Sequence, residues 1–131
     1  MLVLITEDEL PSRVALTLLV QKEGHQVIAC ESAERAFEEI DAAAREKRQI
    51  RLGLIDWDLG AGRTGIEVAM HLRRLHPFSS AILISGYSRE QIREQWRDPI
   101  AGFTAFLPKP FDMDVLKRFL RLAADGCDEG E

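Results

Sequence analysis

Short runs of Val, Ile and Leu alternate along the chain with longer stretches in which apolar residues recur every three or four positions. The short runs are Leu2 to Thr6 (LVLIT), Gln26 to Cys30 (QVIAC), Leu52 to Ile55 (LGLI), Ala81 to Ser85 (AILIS) and Thr104 to Pro108 (TAFLP). Near-continuous apolar runs of this length, without alternation, suit strands covered on both faces. Five such runs separated by amphipathic segments predict an α/β fold, a doubly wound parallel sheet with helices on either side.

Helix starts support the count. Ser32, Thr64, Ser88 and Asp112 each stand as a candidate N-cap just ahead of a helical pattern. Thr64 with Glu67 and Ser88 with Gln91 read as capping boxes, in which two backbone donors are satisfied reciprocally. The last helix carries Leu116, Phe119, Leu120 and Ala123 at i, i+3, i+4 and i+7, a clean buried stripe. The fourth helix offers mainly Ile92 and Trp96 and ends near Pro99, which predicts a short, loosely anchored element. No repeat or low-complexity tract interrupts the pattern, so residues 1–124 are expected to form one domain and residues 125–131 a polar tail.

Composition narrows the function classes. With 131 residues, 46% apolar and 30% charged, the chain reads as a single globular domain able to bury a sizeable core. The formal charge of −5 argues against sequence-independent nucleic-acid binding. The cluster Arg45, Lys47, Arg48 and Arg51 is expected to be a solvated helix end. Apolar stretches such as Val14 to Val20 are too short to cross a bilayer, and a start that meets Glu7, Asp8 and Glu9 is not a secretory leader. A cytoplasmic address without membrane contact is expected. Cys30 and Cys127 suggest neither a disulfide framework nor a zinc site, and His25, His71 and His76 lack ligand spacing and read as surface residues. Trp57 reads as a partly buried packing residue useful as a reporter.

Ligands of open parallel sheets gather beyond the carboxyl ends of the strands, where strand order reverses. Glu7 and Asp8 follow the first strand, Asp56 the third, Ser85 ends the fourth and Lys109 follows the fifth. Singly, each has an ordinary reading as a turn, dipole-complementing or solvated residue; their common placement is informative. Three carboxylates together repel unless a cation joins them, and an oxygen-only set favours Mg2+, with Mn2+ as an alternative. Lys109 would pair with Asp56 or grip a phosphoryl oxygen, and Ser85 would hydrogen-bond another. The set describes phosphoryl transfer to Asp56 as nucleophile.

LVLITEDE, LGLIDWD, ISGYS and FLPKPF, in this order and spacing, resemble the receiver domain of two-component response regulators over nearly the whole chain. The resemblance implies a flavodoxin-like sheet of order 2-1-3-4-5, dependence on Mg2+, and phosphorylation by a histidine kinase or histidine phosphotransfer protein. It makes Asp56 the phospho-acceptor, Glu7 and Asp8 the acidic metal pair, Ser85 the switch hydroxyl and Lys109 the partner lysine. It also assigns the Asp58 backbone carbonyl to the metal, a Lys109–Pro110 peptide that is often cis, and Phe106 to an aromatic position that moves with the hydroxyl. Such a domain is a signalling acceptor rather than an enzyme, capable of taking phosphate from small donors and of losing it spontaneously.

Glu7 stands where Asp is commoner in that family, Ser85 where Thr is, and the loop DLGAGRTG after the acceptor is one residue longer, with Gly60 in place of proline. Asp58 and Tyr87, two residues beyond acceptor and hydroxyl, are expected to set the acyl phosphate's lifetime. Ile92, Trp96, Val115 and Arg118, with Phe106, are expected on a switch surface built from the fourth helix, fifth strand and fifth helix. With no output domain after Ala124 in this sequence, that surface would act on a downstream protein, a second copy or a domain outside it. Two alternatives stand: a receiver-like interaction module that works without phosphate, and a phosphatase of the haloacid-dehalogenase type suggested by Asp56-Trp57-Asp58. The second fits poorly, since Gly60 occupies the place where that family has Thr or Val.

Overall fold

The computed structural model describes residues 1–60, 64–88, 90–91 and 105–129. In chain order they form β1 (Leu2–Thr6), α1 (Leu10–Lys22), β2 (Gln26–Cys30), α2 (Ala33–Arg45), β3 (Ile50–Asp56), α3 (Gly65–Leu75), β4 (Ser80–Ser85), β5 (Ala105–Pro108) and α4 (Met113–Glu129). The strands make one parallel sheet, as the sequence pattern predicts, in the order β2-β1-β3-β4-β5 that the family resemblance implies. The expected helix with Ile92 and Trp96, and Thr104, lie outside the described residues. β3 begins two residues earlier than expected, because Ile50 pairs with Leu2 and is fully buried. The helix α4 runs on to Glu129 through most of the stretch expected as a tail.

The two-residue period of the strands sorts the core into two layers. On β1, Leu2 and Leu4 face Ile40 of α2 and Val68 and Leu72 of α3, while Val3 and Ile5 face Leu16 and Val20 of α1 and Leu116 and Leu120 of α4. On β3, Ile55 belongs to the first layer and Leu52 and Leu54 to the second. Each fully buried aliphatic contributes about 1.5–3 kcal/mol relative to exposure. The helix α1 carries apolar residues on two faces: Leu16, Leu19 and Val20 are buried, whereas Leu10, Val14 and Leu18 are exposed.

Three of the expected caps form. Ser32 Oγ accepts the Arg35 N–H at 3.1 Å. Ser88 and Gln91 exchange bonds of 2.8 and 3.1 Å, and Asp112 Oδ1 accepts the Asp114 N–H at 2.8 Å. Thr64 makes no side-chain cap. Its backbone instead bridges to Asp58, and the entry to α3 is set by the Gly65 N–H donating to Trp57 O at 2.9 Å.

The surface reading of the histidines is corrected. His76 is buried: Nδ1 accepts the Ile50 N–H and Nε2 donates to the Ile40 carbonyl, both at 3.1 Å. A neutral imidazole thereby ties the end of α3 to α2 and β3. His71 is partly buried, 2.7 Å from Asp41 and edge-on to Phe37, and His25 is partly buried 3.2 Å from the terminal amino group. Trp57 is more deeply buried than expected, packed with Leu83, Ile66 and Phe106. Arg45, Lys47 and Arg48 are exposed, as expected, but Arg51 is half-buried within β3 and not part of a helix end. No helix among the described residues is long and apolar enough to cross a membrane.

Candidate functional site

Strand order turns between β1 and β3, and the polar groups gather there and at the neighbouring end of β4. Thr6 pairs with Ile55 and Asp56 with Ile84, so the ends of β1, β3 and β4 lie level. Beyond β1 the Glu7 N–H still donates to Cys30 O at 3.0 Å. Beyond β5 the Lys109 N–H donates to Ser85 O at 2.8 Å, and the Lys109–Pro110 peptide is cis. Four separate strand ends thus bring Glu7, Asp8, Asp56, Ser85 and Lys109 to one edge.

Glu7 and Asp56 are buried and Asp8 is exposed. One carboxylate oxygen from each of Glu7, Asp8 and Asp56 forms a set lying within 4.8 Å of one another. The Lys109 ammonium sits 2.7 Å from Asp56 Oδ2, as a hydrogen bond, and 2.9 Å from Glu7 Oε2. The second contact is an ion pair without hydrogen-bond alignment, so Glu7 Oε2 is buried with no hydrogen-bonded partner. The other oxygens are held by backbone: Glu7 Oε1 accepts the Glu9 N–H and Asp56 Oδ1 the Asp58 N–H, each at 3.1 Å.

Burial, then contact with the Asp56 carboxylate, pushes the Glu7 carboxyl above its ordinary range. Burial and the Glu7 charge do the same to Asp8. Burial pulls the Lys109 ammonium down, but Asp56 and Glu7 outweigh it and hold the proton more tightly than usual. One ammonium offsets only part of three negative charges. A hard cation with carboxylate ligands fits this set: all donors are oxygens, and the buried Glu7 Oε2 is met only by the unaligned Lys109 ion pair.

Ser85 is buried with Oγ accepting the Tyr87 N–H at 2.9 Å, and the Tyr87 side chain is exposed. The Asp58 side chain turns to its own loop, accepting the Gly60 N–H at 3.0 Å. Gly60 has φ +75 and lies beside Asp8 Oδ2. Leu59, in the same loop, is buried against the core. Of the residues expected on a switch surface, Arg118 is exposed, Val115 and Phe106 are half-buried against the core, and Ile92 and Trp96 lie outside the described residues.

Two residues escape sequence reasoning. A methyl group on Gly65 would collide with the Asp56 backbone carbonyl, so glycine lets α3 pass directly behind Asp56. Its signal is a glycine opening a helix. Arg13, in the first turn of α1, donates to the Glu7 carbonyl at 3.0 Å; a lone basic residue after an acidic pair carries little signal.

The response regulator receiver domain model matches residues 3–121 of the chain. Among solved structures, the chain is similar to the response regulator TrrA from Thermotoga maritima in complex with Mg2+-BeF, at 24% identity, with 93% of this chain and 97% of that one covered and a TM-score of 0.76. A CheY-like receiver domain protein from Methanospirillum hungatei JF-1 is 22% identical, with 98% and 97% covered and a TM-score of 0.78. The receiver domain of the hybrid histidine kinase CckA is 24% identical, with 94% and 98% covered and a TM-score of 0.75. Comparison with curated proteins finds no match. The structural likenesses bear on the fold, and the family match carries the assignment: the chain belongs to the response regulator receiver domain family.

Proposed function

We propose that this receiver accepts a phosphoryl group on Asp56 in a Mg2+-dependent reaction and relays the change to a protein partner. The observation that carries the reading is the Asp56 carboxylate at the centre of the sheet edge, bonded to Lys109 at 2.7 Å and clustered with Glu7 and Asp8. Glu7, Asp8 and Asp56, with the Asp58 backbone carbonyl, would hold Mg2+ or, in its place, Mn2+. Bound there, the ion supplies positive charge against the clustered carboxylates and incoming phosphoryl oxygens. TrrA, solved with Mg2+-BeF, supports that requirement.

The chain's own groups account for the rest. An Asp56 oxygen bonds to phosphorus as the phosphorus–nitrogen bond to a donor imidazole breaks, and the freed imidazole nitrogen takes a proton from water. Lys109 Nζ lies beside the oxygens on which charge grows. The Ser85 oxygen accepts from Tyr87 N–H, which leaves the hydroxyl proton for a phosphoryl oxygen. The donor is a histidine kinase or histidine phosphotransfer protein, and a small donor such as acetyl phosphate is expected to serve in vitro. Asp58 and Tyr87 set the lifetime of the acyl phosphate. Output runs through Phe106, Val115 and Arg118 with Ile92 and Trp96, towards a downstream protein or a second copy.

Incubation with acetyl phosphate and Mg2+, followed by intact mass, is expected to give one phosphoryl adduct that decays, needs the ion and is lost in Asp56→Asn. Repeated hydrolysis of phosphate esters would replace this reading with a phosphatase. A folded protein that binds no Mg2+ and takes no phosphate from acetyl phosphate or a phosphorylated histidine donor would leave a phosphate-independent interaction module.

A further inference from the structure

The loop carrying Glu7 and Asp8 leaves the sheet just as its carboxylates are needed. The Glu7 N–H makes the last bond of that edge, to Cys30 O, and the chain then turns into Glu9, the N-cap of α1. A carbonyl released from a sheet needs a new donor. Arg13 supplies it: Nη1 lies 3.0 Å from Glu7 O and, at longer range, 3.5 Å from Asp8 O. Arg13 is half-buried, and its own backbone is fixed in α1, where its N–H donates to Glu9 O at 2.9 Å and its carbonyl accepts from Thr17 Oγ1 at 2.8 Å. The helix is anchored in turn by buried Leu16, Leu19 and Val20.

Lys109 and Arg13 therefore treat the same acidic loop differently. Lys109 occupies carboxylate oxygens, Asp56 Oδ2 and Glu7 Oε2. Arg13 takes backbone carbonyls and leaves the carboxylates to a cation. We infer that Arg13 is a positioning residue for the cation site: by holding the Glu7 and Asp8 carbonyls to the first turn of α1, it fixes their carboxylates at ligand spacing. A guanidinium suits the task, because its fixed fork reaches two acceptors while its charge stays against a loop of negative groups. The inference rests on the Mg2+ reading above and adds a residue to it.

The test is a MgCl2 titration of the full chain carrying Trp96→Phe, so that buried Trp57, next to Asp56, reports by fluorescence. Arg13→Gln is expected to raise the Mg2+ Kd about tenfold, and Arg13→Lys to fall between it and the parent chain. The increase is expected to persist in about 0.5 M KCl, where a through-space charge effect is screened. At saturating Mg2+, acetyl phosphate is expected to label Arg13→Gln at a rate within about twofold of the parent, since such a residue shifts affinity rather than chemistry. An unchanged Kd, or an increase that vanishes in high salt, would overturn the inference. If circular dichroism shows Arg13→Gln unfolded, Arg13→Lys decides, with an unchanged Kd again overturning it. A flat titration of the parent chain would instead overturn the metal reading, and this inference with it.

Discussion

Asp8 is the member of the acidic set with the least compensation. Lys109 stands against Glu7 and Asp56, whereas Asp8, exposed but partly desolvated by its neighbours, also meets the Glu7 charge, both raising its carboxyl above the ordinary 3.8. The folded protein thus holds that proton more tightly than the unfolded chain. The resulting stabilisation is full below about pH 3.8 and is lost as pH rises through the higher folded value, so at neutral pH the Asp8 charge opposes folding. Asp8→Asn is expected to raise the metal-free melting temperature by about 2–4 °C, to flatten its decline between acidic and neutral pH, and to weaken Mg2+ binding. Calorimetry in EDTA at several pH values checks the first two, and a MgCl2 titration checks the third. Legibility also divides at this scale. Asp56, Ser85 and Lys109 are readable because each ends or follows an apolar strand run. His76 is not, since its partners, Ile50 and Ile40, are 26 and 36 residues away.

Among the elements, α3 is under the tightest steric constraint. Gly65 opens it against the Asp56 carbonyl, and Gly53 of β3 faces Leu72 so closely that a Cβ there would lie 2.8 Å from its Cδ2. Gly65→Ala is expected to destabilise by about 1–3 kcal/mol through forced backbone displacement, and to slow phosphorylation because the displaced backbone bears Asp56, the proposed acceptor. Urea unfolding and the acetyl phosphate labelling rate measure the two effects. The helices also show how far caps can be read from sequence. Ser32, Ser88 and Asp112 cap as expected because each bond is made within three residues. Thr64 does not, because a tertiary feature, the backbone return at Asp58, sets its place. For α4 the apolar stripe is as expected, but Val115 of the expected switch surface is half-buried on it.

At the scale of the whole molecule, the site is an intersection of strand ends, so its repulsion and its relief are shared by the sheet. An ion bound only by the assembled ends stabilises the fold by mass action, about 2.7 kcal/mol at a concentration a hundredfold above Kd. Mg2+ is therefore expected to raise the melting temperature, EDTA to reverse it, and Asp56→Asn to abolish most of the gain. A thermal melt with and without the ion checks this. Fold class was legible because short apolar runs alternating with amphipathic segments are a local pattern constrained by chain connectivity, whereas the strand order came with the family resemblance. By itself the sequence determined the five strands, the identity of the five polar residues at the sheet edge and, through the family resemblance, the order 2-1-3-4-5. Tertiary structure alone decided that Lys109 reaches both Glu7 and Asp56, that Arg13 holds the acidic loop by its carbonyls, that Gly65 clears the Asp56 carbonyl and that His76 is a clamp. Such contacts depend on side-chain reach across elements distant in sequence, and a one-dimensional pattern of apolar and polar positions carries no record of that distance.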